Sequence, residues 1–271
     1  LLSAQKYSNE FLAIGVGARA HGMSGAQTAV TNDLTAAYWN PAGLCEIKAP
    51  VQLAAMHAEW FAGVGKYDYI GFAKSLSARK NAYFALSVIR LGIDQIPYTI
   101  NLVEPDGRIN YDNVTEFSAA DYAVMGSYAR SLRVPGLSAG GTVKIIRRVI
   151  GTFGNSWGFG ADAGAQYRKG RWMFGLQARD LTTTFNVWSF SLTEREKEVF
   201  TATGNEIPQS EAEITKPRFV LGAARKCSIG SKTTLLPALD LECTTDGQRN
   251  VLVSSKSFNM DARLGVEADY D

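Results

Sequence analysis

The sequence predicts an all-β protein, a transmembrane antiparallel β-barrel with an N-terminal segment lodged inside it. Three observations carry that expectation: apolar and polar residues alternate with period two in stretch after stretch, several stretches are unusually long, and residues 1–48 lack the alternation. The clearest case is Phe258 to Asp271, "FNMDARLGVEADYD". One face carries Phe258, Met260, Ala262, Leu264, Val266, Ala268 and Tyr270; the other carries Asn259, Asp261, Arg263, Gly265, Glu267, Asp269 and Asp271. A helix would smear the two sets around its circumference.

Composition permits this class and removes others. The 271 residues are 46% hydrophobic and 20% charged with a formal charge of +2, neither a disordered composition nor a basic nucleic-acid binder, so no nucleic-acid partner is expected. No apolar run approaches the ~18 residues of a membrane-spanning helix, whereas barrel strands alternate and score near neutral. Cys45, Cys227 and Cys243 lie far apart without a C-x-x-C pair, which suits neither a disulfide framework nor a metal site. The opening "LLSAQ" matches the tail of a secretory signal cut after Ala4.

From the N-terminus, "IGVGARAHGMSGA" (14–26) places Gly15, Gly17 and Ala20 at the spacing of a dinucleotide-binding loop. Such a loop must open a helix within a βαβ unit. Here Gly22 and Gly25 interrupt the helix and Pro41 ends any helix nearby, so the glycines read instead as positions of close backbone approach. A short helix is expected around Leu34 to Trp39 with Asn32 or Asp33 as its cap, followed by a turn at Asn40-Pro41-Ala42-Gly43. Such a compact segment is suited to a barrel lumen, where Gly158, Gly160 and Gly164 would give it room. Arg19 would then pair with a lumen carboxylate such as Asp162 or Asp261, because an unpaired charge inside is costly.

Ten candidate strands follow: 50–60, 66–76, 81–91, 120–130, 137–150, 157–168, 171–181, 218–225, 234–243 and 258–271. Their lengths match tilted bilayer-crossing strands of about 9–11 residues. Aromatics at both ends of the apolar face suit the two lipid interfaces, and Asp162, Asp261 and Arg263 on the other face suit a wet or plugged lumen. A soluble barrel or sandwich is the competing reading and would turn the apolar face inward. Short connections near 77–80, 131–136, 169–170 and 227–231 alternate with long ones at 92–118, 182–216 and 244–257, apart from short ones at 61–65 and 151–156. Short periplasmic turns and longer outer loops are the rule for such barrels, so the N-terminal segment is expected to start on the periplasmic side. Within 182–216, "TERE" (193–196) is a capping box before a short helix, and the segment reads as a folded lid or a partner site.

Catalytic signals are weak. "GNSWG" (154–158) matches G-x-S-x-G, but His21 and His57 both precede Ser156 and a strand pattern follows it. His57 and Glu59 share one strand face, which as two ligands alone reads as a polar face rather than a metal site. No enzyme activity, cofactor or metal is expected.

The stretch "KYSNEFLAIGVGARAHGMSGAQTAVTNDLTAAYWNPAGL" (6–44) resembles the N-terminal plug of PorV/PorQ-type outer-membrane proteins, within the wider FadL-like barrel superfamily. The residues that carry the likeness include Phe11-Leu12, Gly15, Ala18-Arg19-Ala20, Gly22-Met23, Asn32-Asp33 and Trp39-Asn40-Pro41-Ala42-Gly43-Leu44; Gly17 joins them as a plug-motif candidate. The resemblance implies a plug over 1–48 and a barrel over 49–271, with fourteen antiparallel strands against the ten identified. By this reading the chain is truncated by about four C-terminal strands; if it is complete, the fourteen-strand count is wrong. The resemblance further implies an integral protein of the bacterial outer membrane, surrounded by its lipid. Its role would be that of a non-enzymatic component of the Bacteroidetes type IX secretion system, a protein-transport machine. It would bind cargo domains or machine proteins through its rim and outer loops, with Tyr111, Phe185, Trp188 and Phe190 as candidate contacts. The alternative is a channel for hydrophobic small molecules, with Phe185, Trp188 and Phe190 lining a pocket under the outer loops.

Overall fold

A computed structural model describes residues 3–4, 8–77, 81–104 and 106–270 of the chain. The strands are β1 (Ser3–Ala4), β2 (Val51–Trp60), β3 (Gly65–Ser77), β4 (Ala82–Tyr98), β5 (Thr115–Ser131), β6 (Leu137–Ile150), β7 (Gly154–Lys169), β8 (Trp172–Arg179), β9 (Thr184–Phe190), β10 (Ala212–Thr215), β11 (Arg218–Arg225), β12 (Cys227–Ile229), β13 (Thr233–Thr244), β14 (Val253–Ser254) and β15 (Asn259–Tyr270). The helices are short: α1 (Ala18–Gly22), α2 (Ala36–Trp39) and α3 (Glu194–Ala202). The fold is all-β, and each of the ten expected strands is present. The connection expected at 77–80 lies, beyond Ser77, outside the described residues, as do Leu1, Leu2 and Gln5 of the signal-like opening and Lys6-Tyr7 of the plug-like stretch.

The long strands form one antiparallel sheet in the order β14-β15-β13-β11-β8-β7-β6-β5-β4-β3-β2. The sheet is open: among the described residues no ladder joins β2 to β15. β9 continues beyond β8 along β7, and β10 pairs β9.

Register turns the alternation into a surface. Ala55, Ile70, Val88, Val124, Ile145, Phe159 and Phe185 stand directly opposite one another across seven successive strands. Leu176, Leu221 and Leu241 continue the theme on β8, β11 and β13. These side chains face away from the rest of the molecule; Phe159 is 59% and Leu264 70% exposed. The apolar face is therefore not packed in a dry centre.

The other face curls around residues 8–47, which touch all ten long strands, from Gly17 against Met56 on β2 to Arg19 against Glu267 on β15. The segment supplies about half of the buried apolar side chains among the described residues. Phe11, Leu12, Val16, Tyr38 and Trp39 pack on Tyr67, Tyr69, Ile89, Met125 and Ile146. Met23, Ala26, Ala29 and Val30 pack on Met173, Ala224 and Ala238.

Two connections are shorter than the sequence predicts. β4 and β5 run on past 91 and before 120, pairing Ile96 with Phe117 and Tyr98 with Thr115, so the loop is 99–114 rather than 92–118. A register shift between Ile93 and Ile96, with Gln95 in the left-handed region, reverses the phase of the alternation and hides the extension. Asp180 and Thr183, also left-handed, make the same kind of break before β9, so 184–190 and 212–215 are strand and the connection between them is 191–211. Ser3–Ala4 pair with Glu213–Ile214 in parallel, at the sheet end that bears the long connections, and the segment leaves at the short-turn end to begin β2.

The sheet accepts the segment because residues at the contact are small. A Cβ on Gly222 would stand 2.8 Å from the Ala29 amide nitrogen, and one on Gly140 2.7 Å from the Pro41 carbonyl carbon. Gly175 lies closer still beneath the Thr28 carbonyl. Gly175→Val is expected to weaken docking of the segment by about 1–3 kcal/mol, the usual overpacking range. Faster limited proteolysis within residues 8–47 than in the parent protein is the measurement that checks it.

Candidate functional site

The segment contains little regular helix, so its backbone groups need partners elsewhere. The inward side chains provide them. Asp240 accepts the amides of Gln27 and Thr28, each at 2.9 Å. The Gln166 amide donates to the Thr28 carbonyl at 3.1 Å, and the Gln177 amide to the Tyr38 carbonyl at 3.0 Å. Ser138 and Thr142 donate to the carbonyls of Ala42 and Ala37, both at 3.1 Å.

The residues singled out from sequence take definite places here. Gly15 and Gly17 have φ of 94° and 91°, and Gly15 lies against the Trp39 ring. Gly22 ends α1. Asp33 accepts the Thr35 amide at 2.8 Å, at the start of α2, while Asn32 accepts Arg19 Nη1 at 3.2 Å instead of capping. Trp39 Nε1 donates to the Val16 carbonyl at 2.8 Å. Asn40, fully buried, accepts the Ala42 amide and donates to the Thr28 and Ala165 carbonyls, at 2.8 and 3.1 Å, so that one amide group staples two parts of the segment to β7. Pro41 opens the 3-10 turn Pro41–Glu46, and Gly43 lets that turn press against Thr31.

Two expected roles need correction. Arg19 pairs neither with Asp162 nor with Asp261; its Nε and Nη2 clasp Glu267 at 2.9 and 2.7 Å. Of the three glycines expected to make room for the segment, Gly164 does so against Asn40, whereas Gly158 and Gly160 make room for Asn186 and Thr184 on β9.

Asp162 belongs to a buried ionic ladder that crosses the inward face. Lys144 Nζ on β6 reaches Asp162 on β7 at 2.8 Å and Asp180, just past β8, at 2.6 Å. Arg218 on β11 lies 3.6 Å from Asp180 and 3.8 Å from Glu242 on β13, and Glu242 also meets Arg263 on β15. Arg179 stacks over Tyr38 and Trp39, 4.6 and 5.4 Å from the ring centroids, tying the ladder to the segment. Asp261 is half-buried and accepts the amide of its neighbour Ala262. Sequence reasoning missed Lys144, Arg179, Asp180, Arg218, Asp240, Glu242 and Glu267. Each of those on a strand stands at an inward position of the alternation, which was the signal available.

At the long-connection end the predicted capping box is present: Thr193 accepts the Glu196 amide, and Glu196 accepts the Thr193 amide and the Tyr98 hydroxyl. Arg249 joins Asp246 and approaches Glu10 of the segment. The aromatic grouping from sequence is split. Trp188, 6% exposed, and Phe190 stack on the inward face beside Ile150 and Ile207 around a cavity of about 890 Å³. Phe185 stands on the opposite face in the apolar belt, because odd and even positions of a strand point to opposite sides. Tyr111 is 75% exposed in a 3-10 turn.

Ser156 is buried on β7 with no histidine partner. His57 contacts Asp68 on the neighbouring strand at 2.6 Å and Glu59 at 3.7 Å, and among the described residues no group of three potential ligands is placed to hold a metal. No family model matches the chain, and neither does any curated protein sequence.

Lys144→Met leaves Asp162 and Asp180 adjacent without their shared cation. It is expected to cost about 3–5 kcal/mol, the range for breaking a buried pair, as a lowered midpoint in thermal unfolding. Burial between the segment and the strands pushes the Cys45 thiol up to about 11. At pH 8 about one Cys45 in a thousand is then thiolate, against roughly a quarter for an ordinary thiol of pKa about 8.5. Iodoacetamide at pH 8 is expected to modify half-exposed Cys227 and spare Cys45, whose labelling rises only as pH nears 11; peptide mapping reads both.

Proposed function

We propose that this chain is a non-enzymatic, plugged β-barrel protein of the bacterial outer membrane. In this reading it is a PorV/PorQ-type component of the type IX secretion machinery, docking cargo domains or partner proteins at its rim and long connections. The observation that carries the membrane assignment is the outward apolar belt from Ala55 to Phe185. A continuous exposed apolar surface of this kind marks a membrane or an interaction partner, and hydrocarbon is the solvent that suits it on every strand at once. A bilayer also demands that the backbone edges of β2 and β15 be satisfied by closure or by further strand pairing.

Docking is favoured over conduction by what fills the concave face. Hydrogen bonds, three apolar clusters and the ionic ladder fix residues 8–47 there. Beside Lys144 and Arg218 the interior cavity measures about 10 Å³, room for one water at most. The specific assignment to secretion rests on the resemblance of residues 6–44.

Affinity capture of the full chain from native outer membranes, followed by mass spectrometry, tests the reading. Secreted proteins or a large translocon subunit are expected in the eluate. Recovery of the barrel with lipid alone counts against the secretion role. An acyl compound bound inside the barrel, with faster uptake of that compound by cells, favours the hydrophobic-channel alternative. A chain extracted by carbonate as a peripheral protein rejects the membrane assignment itself.

A further inference from the structure

A second cavity, of about 470 Å³, opens at the short-turn end, between the segment and strands β7, β8, β13 and β15. Arg19 and Arg168 both line it, and they differ in one respect. Arg19 presents its Nε/Nη2 edge to Glu267, whose two oxygens accept both donors side by side. Arg168 has only Nη1 engaged, 3.2 Å from Glu46. Its Nε and Nη2, the same fork-shaped edge, are withdrawn from solvent and have no acceptor. Buried polar atoms are ordinarily hydrogen-bonded, and a guanidinium edge of this shape matches two oxygens of one carboxylate or phosphate.

The charges around that edge select between the two. Arg19 and Glu267 offset each other, and Glu46 offsets one side of Arg168. What remains in the lining is Arg171 and Lys226, both exposed, against the single carboxylate of Asp269, with the hydroxyls of Ser228 and Thr234 nearby. The balance favours a group with more than one negative charge and several acceptor oxygens, and the cavity leaves space for an organic substituent.

We propose that this cavity binds a phosphate monoester group, neutralised by Arg171 and Lys226, and that Arg168 swings its Nε/Nη2 edge, closed off from the cavity as it stands, onto two of the phosphate oxygens as the group enters. The group can come from a soluble phosphate or from a lipid headgroup, and the chemistry of recognition is the same.

The test is equilibrium binding to the full chain purified in a nonionic detergent, with two probes: inorganic phosphate, and dihexanoyl phosphatidate below its micellar concentration. Saturable binding is expected, weakened about tenfold or more by Arg168→Lys, which keeps the charge and removes the fork. The exposed double variant Arg171→Gln/Lys226→Gln is expected to lose affinity several-fold, and it decides the matter should Arg168→Lys fail to fold. Similar Arg168-dependent affinity for both probes supports the site with a soluble source. Phosphatidate binding at least about tenfold tighter, with the same dependence, supports it with a lipid source. Absence of saturable binding by either probe, or affinity unchanged in the folded variants, overturns the proposal.

Discussion

Burying an irregular chain segment is tolerable only when its amide and carbonyl groups find partners other than water. That constraint organises this molecule. Residues 8–47 turn too often to satisfy themselves, so the strands around them carry Asp240, Gln166, Gln177, Ser138 and Thr142 at inward positions. The same positions must be small where backbone meets backbone, as at Gly140 and Gly222. Polarity inside and apolarity outside are thus one requirement expressed on two faces of a two-residue repeat.

The ionic ladder adds direction to that scheme. Charges taken out of water recover their solvation only through close, well-oriented partners, which makes such pairs poor sources of stability and good sources of specificity. Lys144, Asp162, Asp180, Arg218, Glu242 and Arg263 lie on or beside six strands of the sheet, so a slip of register on any one of them would separate partners. Arg179, laid across Tyr38 and Trp39, extends the dependence to the segment.

How much of this was legible follows from the kind of information each feature needs. Strand positions and faces depend on local alternation, and ten strands could be read from it. Asn40, Trp39 and the glycines of the segment stood out because turn chemistry is local too. Partnerships depend on register between strands far apart in sequence, which alternation does not contain. Arg19 was therefore assigned the wrong carboxylates, and Gly158 and Gly160 the wrong neighbours. The phase reversals at Ile93–Ile96 and at Asp180–Thr183 are local events, but they hide strand as loop because they break the pattern used to find it. Once β9 was read as loop, Phe185 and Trp188 could not be assigned to opposite faces.

The Arg19–Glu267 clasp has a kinetic consequence. It joins residues 248 positions apart, and many other contacts of the segment span more than a hundred. Ring closures over such distances carry a large entropic toll before any contact rewards them, and topologies built on them assemble slowly. The segment acts as a mandrel: synthesised first, it can be gripped on all sides only after β15 arrives. Until then part of its apolar surface stands uncovered, and uncovered apolar surface is prone to aggregation.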